Sequence, residues 1–163
     1  MTINTLWKSV RLLLLVFLLL PVCREDCRSR TIPNRWPLLI GGIGLLQAFL
    51  SPVLDSTGEF SSLLLLFSAV GALAAGGLGL LCRGIGREGF GWGDVKLMIG
   101  LGAYLGPEPF LRAMAMTGVL SLVAALYLLL VRHADKSDTF PFAPFLSVGA
   151  VFSSGAEWFL SGA

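Results

Sequence analysis

SSLLLLFSAVGALAAGGLGLLC, Ser61–Cys82, is a run of 22 residues without one charged side chain. A helix needs about 20 such residues to cross the roughly 30 Å hydrocarbon core of a bilayer. Within it Gly71, Ala75 and Gly79 recur at four-residue intervals, as do Ala72 and Gly76. On a helix that spacing makes a smooth face on which another membrane helix can pack closely. Outward from this run the pattern repeats. Apolar stretches can be marked at Leu6–Cys23, Trp36–Leu54, Asp94–Gly106, Phe110–Val131 and Phe142–Leu160, separated by short polar breaks. Five of the six are long enough to cross. The stretch from Asp94 holds 13 residues and reaches only about 20 Å at 1.5 Å per residue, so one of its ends should lie recessed below the membrane surface.

The whole chain of 163 residues has this character. It is 55% hydrophobic and 13% charged, with a mean hydropathy of +0.81, too little polar surface to clothe a soluble domain. The expected fold is therefore an all-α integral membrane protein, one bundle of six transmembrane helices forming a single domain over residues 1–163, with the lipid bilayer as its first partner. A net charge of +2 without a basic, aromatic-rich face argues against nucleic acid. Lys8 and Arg11 ahead of Leu12–Leu20 resemble a signal peptide, but Pro21, Val22 and Cys23 form no small-x-small cleavage site. The first helix is expected to be retained, with Pro21 kinking its cytosolic end.

Orientation follows from the basic residues. The breaks after stretches one, three and five hold Arg24, Arg28, Arg30, Arg35, Arg83, Arg87, Lys96, Arg132 and Lys136, against Lys8, Arg11 and Arg112 on the other side. The N-terminus is expected outside and those three breaks in the cytosol. Cys23, Cys27 and Cys82 then lie near the cytosolic face as reduced thiols.

Charges close to membrane-embedded segments are costly and mark function. Asp26 is expected just past the cytosolic end of the first helix, and Asp94 closes Gly91-Trp92-Gly93-Asp94 at the start of the short fourth helix. Both fall on one membrane face. Two carboxylates that share a site cannot both ionise easily; one keeps a proton while the other can serve as a base. Gly91 and Gly93 would permit positive φ and leave room for an extended substrate backbone. Read alone, each feature has an ordinary explanation: GWGD as a loop with a helix-capping aspartate, and Asp26 as a solvated charge beside Arg24 and Arg28.

Together they are more specific. Asp26, then Ile32-Pro33-Asn34, then Gly91-x-Gly93-Asp94-Val95-Lys96, then Leu105-Gly106 and Phe140-Pro-Phe-Ala-Pro-Phe145, in this order on six helices, resembles the type IV prepilin peptidases, membrane aspartyl proteases of the GxGD class. The resemblance covers Asp26 to about Gly149. It implies that Asp26 and Asp94 are the catalytic pair and that Gly91, Gly93 and Lys96 lie at the substrate. It also implies that a short basic leader is cut, after a glycine, from prepilin-like proteins whose apolar helix stays in the bacterial inner membrane, without metal or other cofactor. Larger members carry a cytosolic insertion with paired CxxC motifs that bind zinc, and they methylate the new N-terminus. No CxxC occurs here, Cys23 and Cys27 are two thiols where zinc takes four ligands, and the chain is expected to be a short form without N-methyltransferase activity.

Other constellations are weaker. His133 is the sole histidine and a loop residue. Gly84-Ile-Gly86-Arg-Glu-Gly89 lacks the strand–turn–helix setting of a dinucleotide site, and Gln47 suits an interhelical hydrogen bond. Two other functions remain open: a small transporter or channel, which would call for ionisable groups at mid-membrane, and a non-catalytic pilus or secretion assembly factor. Because Asp94 opens a helix and Asp26 follows the end of one, helix dipoles alone would place the shared proton on Asp26, with Asp94 as base.

Overall fold

The computed structural model describes residues 3–54, 61–86, 90–131 and 142–162. These form six helices in chain order: α1 Ile3–Ser29, α2 Arg35–Leu54, α3 Ser61–Gly86, α4 Trp92–Leu105, α5 Pro107–Val131 and α6 Ala143–Gly162. Among the described residues there is no strand. Three stretches, Leu6–Ser29, Leu63–Ile85 and Pro107–Leu128, are long and apolar enough to cross a membrane, and Arg35–Leu50 is a shorter apolar helix. Large apolar side chains such as Phe17 and Leu73 point outward, 72% and 77% exposed, as lipid-facing residues must where no hydrophobic force drives them inward. The chain is a membrane protein.

One expected boundary is wrong in an instructive way. α1 does not stop near Cys23. It runs through Pro21 and the charged segment Arg24–Arg28 to Ser29, closed by a bond from the Arg30 N–H to the Asp26 carbonyl (2.9 Å) and by Arg30 at a φ of 52°. Loss of apolar character marked the end of the hydrophobic run, not of the helix. Asp26 therefore sits in the last turn of α1 rather than beyond it.

The short helix α4 is the hub. It packs against α2 and α3 along its length, and against α5 and α6. Val95, Leu97, Met98, Leu101 and Tyr104 are all buried. Such a helix can be recessed because protein surrounds it. The approach is backbone to backbone: a Cβ at Gly71 would overlap the Gly102 carbonyl, one at Gly102 would overlap the Gly71 carbonyl and Ala75, and one at Gly44 would lie 2.5 Å from Tyr104 Cα. At Gly79 the neighbours are Val95 and Met98, and at Gly76 Ile99. The Gly71–Ala75–Gly79 stripe is thus the α3–α4 seam. Gly106, at a φ of 84°, is the whole α4–α5 connection, and its N–H caps the Gly102 carbonyl (2.9 Å); an L side chain would be strained there.

Arg11, counted above among the outer basic residues, is partnered within the protein. It lies half-buried inside the bundle, its Nε donating to Gln47 Oε1 (3.2 Å), while Gln47 Nε2 donates to the Tyr104 hydroxyl (3.1 Å) and that hydroxyl donates to the Arg11 carbonyl (2.6 Å). The interhelical role expected of Gln47 is the one it has.

Gly102→Leu should destabilise the bundle by about 3 kcal/mol or more, since no rotamer clears the α3 backbone. Gly77→Leu, on a face with nothing within 4 Å of the added Cβ, should be close to neutral. Thermal unfolding of the two purified variants in one detergent checks this.

Candidate active site

Three chain segments far apart in sequence meet at one end of the bundle: the last turn of α1, the entry to α4 and the entry to α6. Asp26 is 5% exposed, and its Oδ2 accepts the N–H of Ala143, the first residue of α6, at 3.0 Å. The Phe90 and Phe142 rings meet edge to face, centroids 5.2 Å apart, joining the approaches to α4 and α6. Arg83 donates to the Phe90 carbonyl and lies over the Trp92 ring, 4.4 Å from its centroid.

Asp94 is in the first turn of α4, not at its cap. Gly91 is the N-cap, and the Asp94 carboxylate reaches back to accept the Gly91 N–H at 3.2 Å. Asp94 lies outside the three long apolar spans and is half-buried. Burial first, and then the negative charge of Asp26, push its carboxyl up to about 6, against the pull of the Gly91 N–H. Each cause follows from elementary electrostatics: low dielectric and a like charge both disfavour ionisation. The two carboxylates expected to share a site are therefore brought within reach of each other's charge.

Neither Gly91 nor Gly93 has the positive φ that such residues would permit. Gly91 has extended backbone, φ −74° and ψ 152°, and Gly106 is the glycine with positive φ among those described. A Cβ on Gly91 would stand 3.3 Å from Asp94 Oδ2, crowding the carboxylate it caps. The space beside Gly93 is filled by the protein's own Ile32, whose Cβ would lie 3.1 Å from an added Cβ. Lys96, exposed, donates from Nζ to Asn34 Oδ1 at 2.8 Å. The Ile32-Pro33-Asn34 and GxGDxK motifs are thus two halves of one contact, which adjacency in sequence could not show.

Glu25, next to Asp26, binds outward. It pairs with Arg35 and accepts the Trp36 indole N–H (2.8 Å), clamping the start of α2 to the end of α1. The dipole argument for placing the shared proton loses its basis. Asp26 ends α1 but also faces the N-terminus of α6, so each carboxylate takes an N–H from a helix start. Sequence reasoning missed Ala143 because a main-chain donor leaves no residue-type signal. Cys23 donates to Ser147 (3.1 Å) beside the site. Among the described residues no group of three or more His, Cys, Asp or Glu could hold a metal ion. Gly84 and Gly86 end α3, so the G-x-G-x-x-G string begins on a helix. His133, Phe140, Pro141 and the Arg87–Gly89 part of that string lie outside the described residues.

Residues 13–130 match the type IV leader peptidase family. The chain is 29% identical over 99% of its length to the prepilin leader peptidase/N-methyltransferase of Aeromonas salmonicida (strain A449), covering 56% of that protein, and likewise to that of Aeromonas hydrophila, again 56% covered. It is 31% identical over 90% of its length to the protein of the same name from Pectobacterium carotovorum subsp. carotovorum, 50% of which is covered. The chain thus spans about half the length of the curated relatives it matches. No solved structure matches it. With a family match that covers residues 13–130, most of its length, the chain belongs to the type IV leader peptidase family.

Proposed function

We propose that the protein is an aspartic endopeptidase of the bacterial inner membrane that removes the short basic leader of prepilin-like proteins at the cytosolic face, after a glycine. The observation that supports the reading is the placement of two acids from different helices at one end of the bundle: Asp26 nearly buried against the start of α6, and Asp94 half-buried in the first turn of α4. The ionised member of the pair takes a proton from water, which attacks the scissile carbonyl, and the protonated member donates to the oxyanion as it forms. Collapse of the tetrahedral species then passes a proton to the leaving amine. The Ala143 and Gly91 N–H groups hold each carboxylate in place while the proton moves. No step calls on a metal or organic cofactor, and the activity proposed for this chain is leader cleavage. All six helices cross or enter the bilayer with the N-terminus outside, α4 recessed so that its first turn meets substrate at the boundary.

Asp26→Asn and Asp94→Asn should each insert and fold normally yet lose leader removal by about 10³-fold or more, read as a mobility shift of a co-expressed prepilin. Normal processing by either variant would instead leave a non-catalytic member of the family. Activity needs one proton on the pair. Above about 6, where Asp94 gives its proton up, the acid is lost, so cleavage should fall as pH rises through that value. At sufficiently low pH both carboxyls are protonated and no base remains. The rate of purified protein against pH should therefore be bell-shaped, its limbs belonging to the pair. For topology, Glu108→Cys in a background free of the native cysteines should react with an impermeant thiol reagent on intact cells. The exposed native Cys27, with the other two cysteines removed, should react only after permeabilisation.

A further inference from the structure

Each of the two carboxylates hangs from a single peptide group at the start of a helix. Asp94 accepts the Gly91 N–H at 3.2 Å, and the oxygen of that same peptide, the Phe90 carbonyl, accepts from Arg83. Asp26 accepts the Ala143 N–H at 3.0 Å, and the oxygen of that peptide, the Phe142 carbonyl, accepts the N–H groups of Phe145 (3.1 Å) and Leu146 (3.2 Å) in the first turn of α6. Free N–H groups at a helix start need acceptors from elsewhere, and neither Gly91 nor Phe142 has a side-chain oxygen to offer. The residues that precede the two donors are the two whose rings meet. Phe90 stands before Gly91 and Phe142 before Ala143, with ring centroids 5.2 Å apart and planes at 65°. Both rings are half-buried and pack against the hydrophobic core. Among the described residues α1 packs on α6 and α2 but not along α4. At this end of the bundle the placement of Asp26 relative to Asp94 therefore comes through the start of α6. The path runs from Asp26 to the Ala143 peptide, across the two rings, and through the Gly91 peptide to Asp94.

We propose that the Phe90–Phe142 pair is the spacer that sets the distance between the two carboxylates, which makes both phenylalanines positioning residues for leader cleavage. The consequence for catalysis rests on the leader-peptidase reading; the geometry rests on the contacts alone. Two acids that act on one water must both be within reach of it, and a displacement of about 1 Å can cost about 100-fold in rate. An edge-to-face pair of rings has a preferred separation and tilt, so it holds a distance better than flexible aliphatic side chains do. Arg83 fixes the Phe90 end from the other side, since it binds the oxygen of the peptide whose N–H holds Asp94. The pair also joins the approach to the GxGD motif with the Phe140–Phe145 segment, two stretches far apart in the chain.

The test uses the full-length protein, purified, with a prepilin that the wild type processes. Phe90→Leu and Phe142→Leu keep an apolar side chain but lose the ring. Each should lower kcat by about tenfold to 100-fold and leave KM within about twofold of the wild type. The double variant should lose no more than the worse single one, since either change already breaks the pair. Phe152→Leu, which removes a ring from the outward face of α6 (60% exposed), should change neither constant. Where a leucine variant does not fold, the methionine variant at the same position, closer to the ring in volume, takes its place. A readout without substrate is the infrared titration of the Asp94 carboxyl, assigned by its absence in Asp94→Asn. In the wild type its midpoint should lie at about 6. With the spacer gone, the charge of Asp26 acts from further away and the midpoint should move to lower pH. Folded variants with wild-type kcat and an unmoved midpoint overturn the spacer and leave the enzyme reading intact. Losses that add in the double variant, again with an unmoved midpoint, overturn it as well, the rings then being ordinary packing. Processing that survives both Asp→Asn variants overturns the enzyme reading instead, and the Asp94 midpoint alone then decides the spacer.

Discussion

The close approach of α4 to α2 and α3 is the constraint on which the remaining structure depends. In a bilayer there is no hydrophobic force between helices, because lipid is as apolar as leucine; what holds helices together is contact at short range. A helix of 14 residues cannot reach across the membrane, so it has no stable place except among longer neighbours. Glycines at 44, 71, 100 and 102 bring main chains to distances that no side chain would allow. The result is a helix buried along most of its length, whose first turn carries Asp94.

That hub is pinned at both ends by polar contacts. At its C-terminal end the Tyr104 hydroxyl joins Arg11 of α1 and Gln47 of α2. At its N-terminal end Lys96 holds Asn34 and Gly93 admits Ile32. The buried polar groups among them, Gln47 and the Tyr104 hydroxyl, are satisfied within the protein because lipid offers no partner. At the C-terminal end these contacts join α4 to α1 and α2, and at the N-terminal end they join it to the connection between those two helices.

Asp26 and Glu25 illustrate how one helical turn divides its labour. Successive residues are about 100° apart around a helix. Glu25 faces the start of α2 and clamps it through Arg35 and Trp36, while Asp26 faces inward to the N-terminus of α6. A nearly buried carboxylate is costly unless hydrogen-bonded, and the Ala143 N–H offsets part of that cost. The site is thus assembled from helix ends: one C-terminal turn carrying an acid, and two N-terminal turns whose free N–H groups favour anions.

Much of this was legible in the residues alone. Long uncharged runs such as Ser61–Cys82 specify helices because only a helix satisfies its own backbone in lipid. The Gly71–Ala75–Gly79 stripe specifies a close-packed face, and two acids placed at the ends of apolar runs stand out because the surrounding sequence is so poor in charge. What the sequence could not determine is everything that depends on a partner distant along the chain. Hydropathy ends at Cys23 although hydrogen bonding carries α1 on to Ser29, since a helix end is set by backbone bonds and not by polarity. That Ile32 stands beside Gly93, and that Arg11 finds Gln47 and Tyr104, depends on helices far apart in sequence being packed together. The donor to Asp26 is a main-chain N–H, identical in every residue but proline, so only the packing of α6 against α1 could select Ala143.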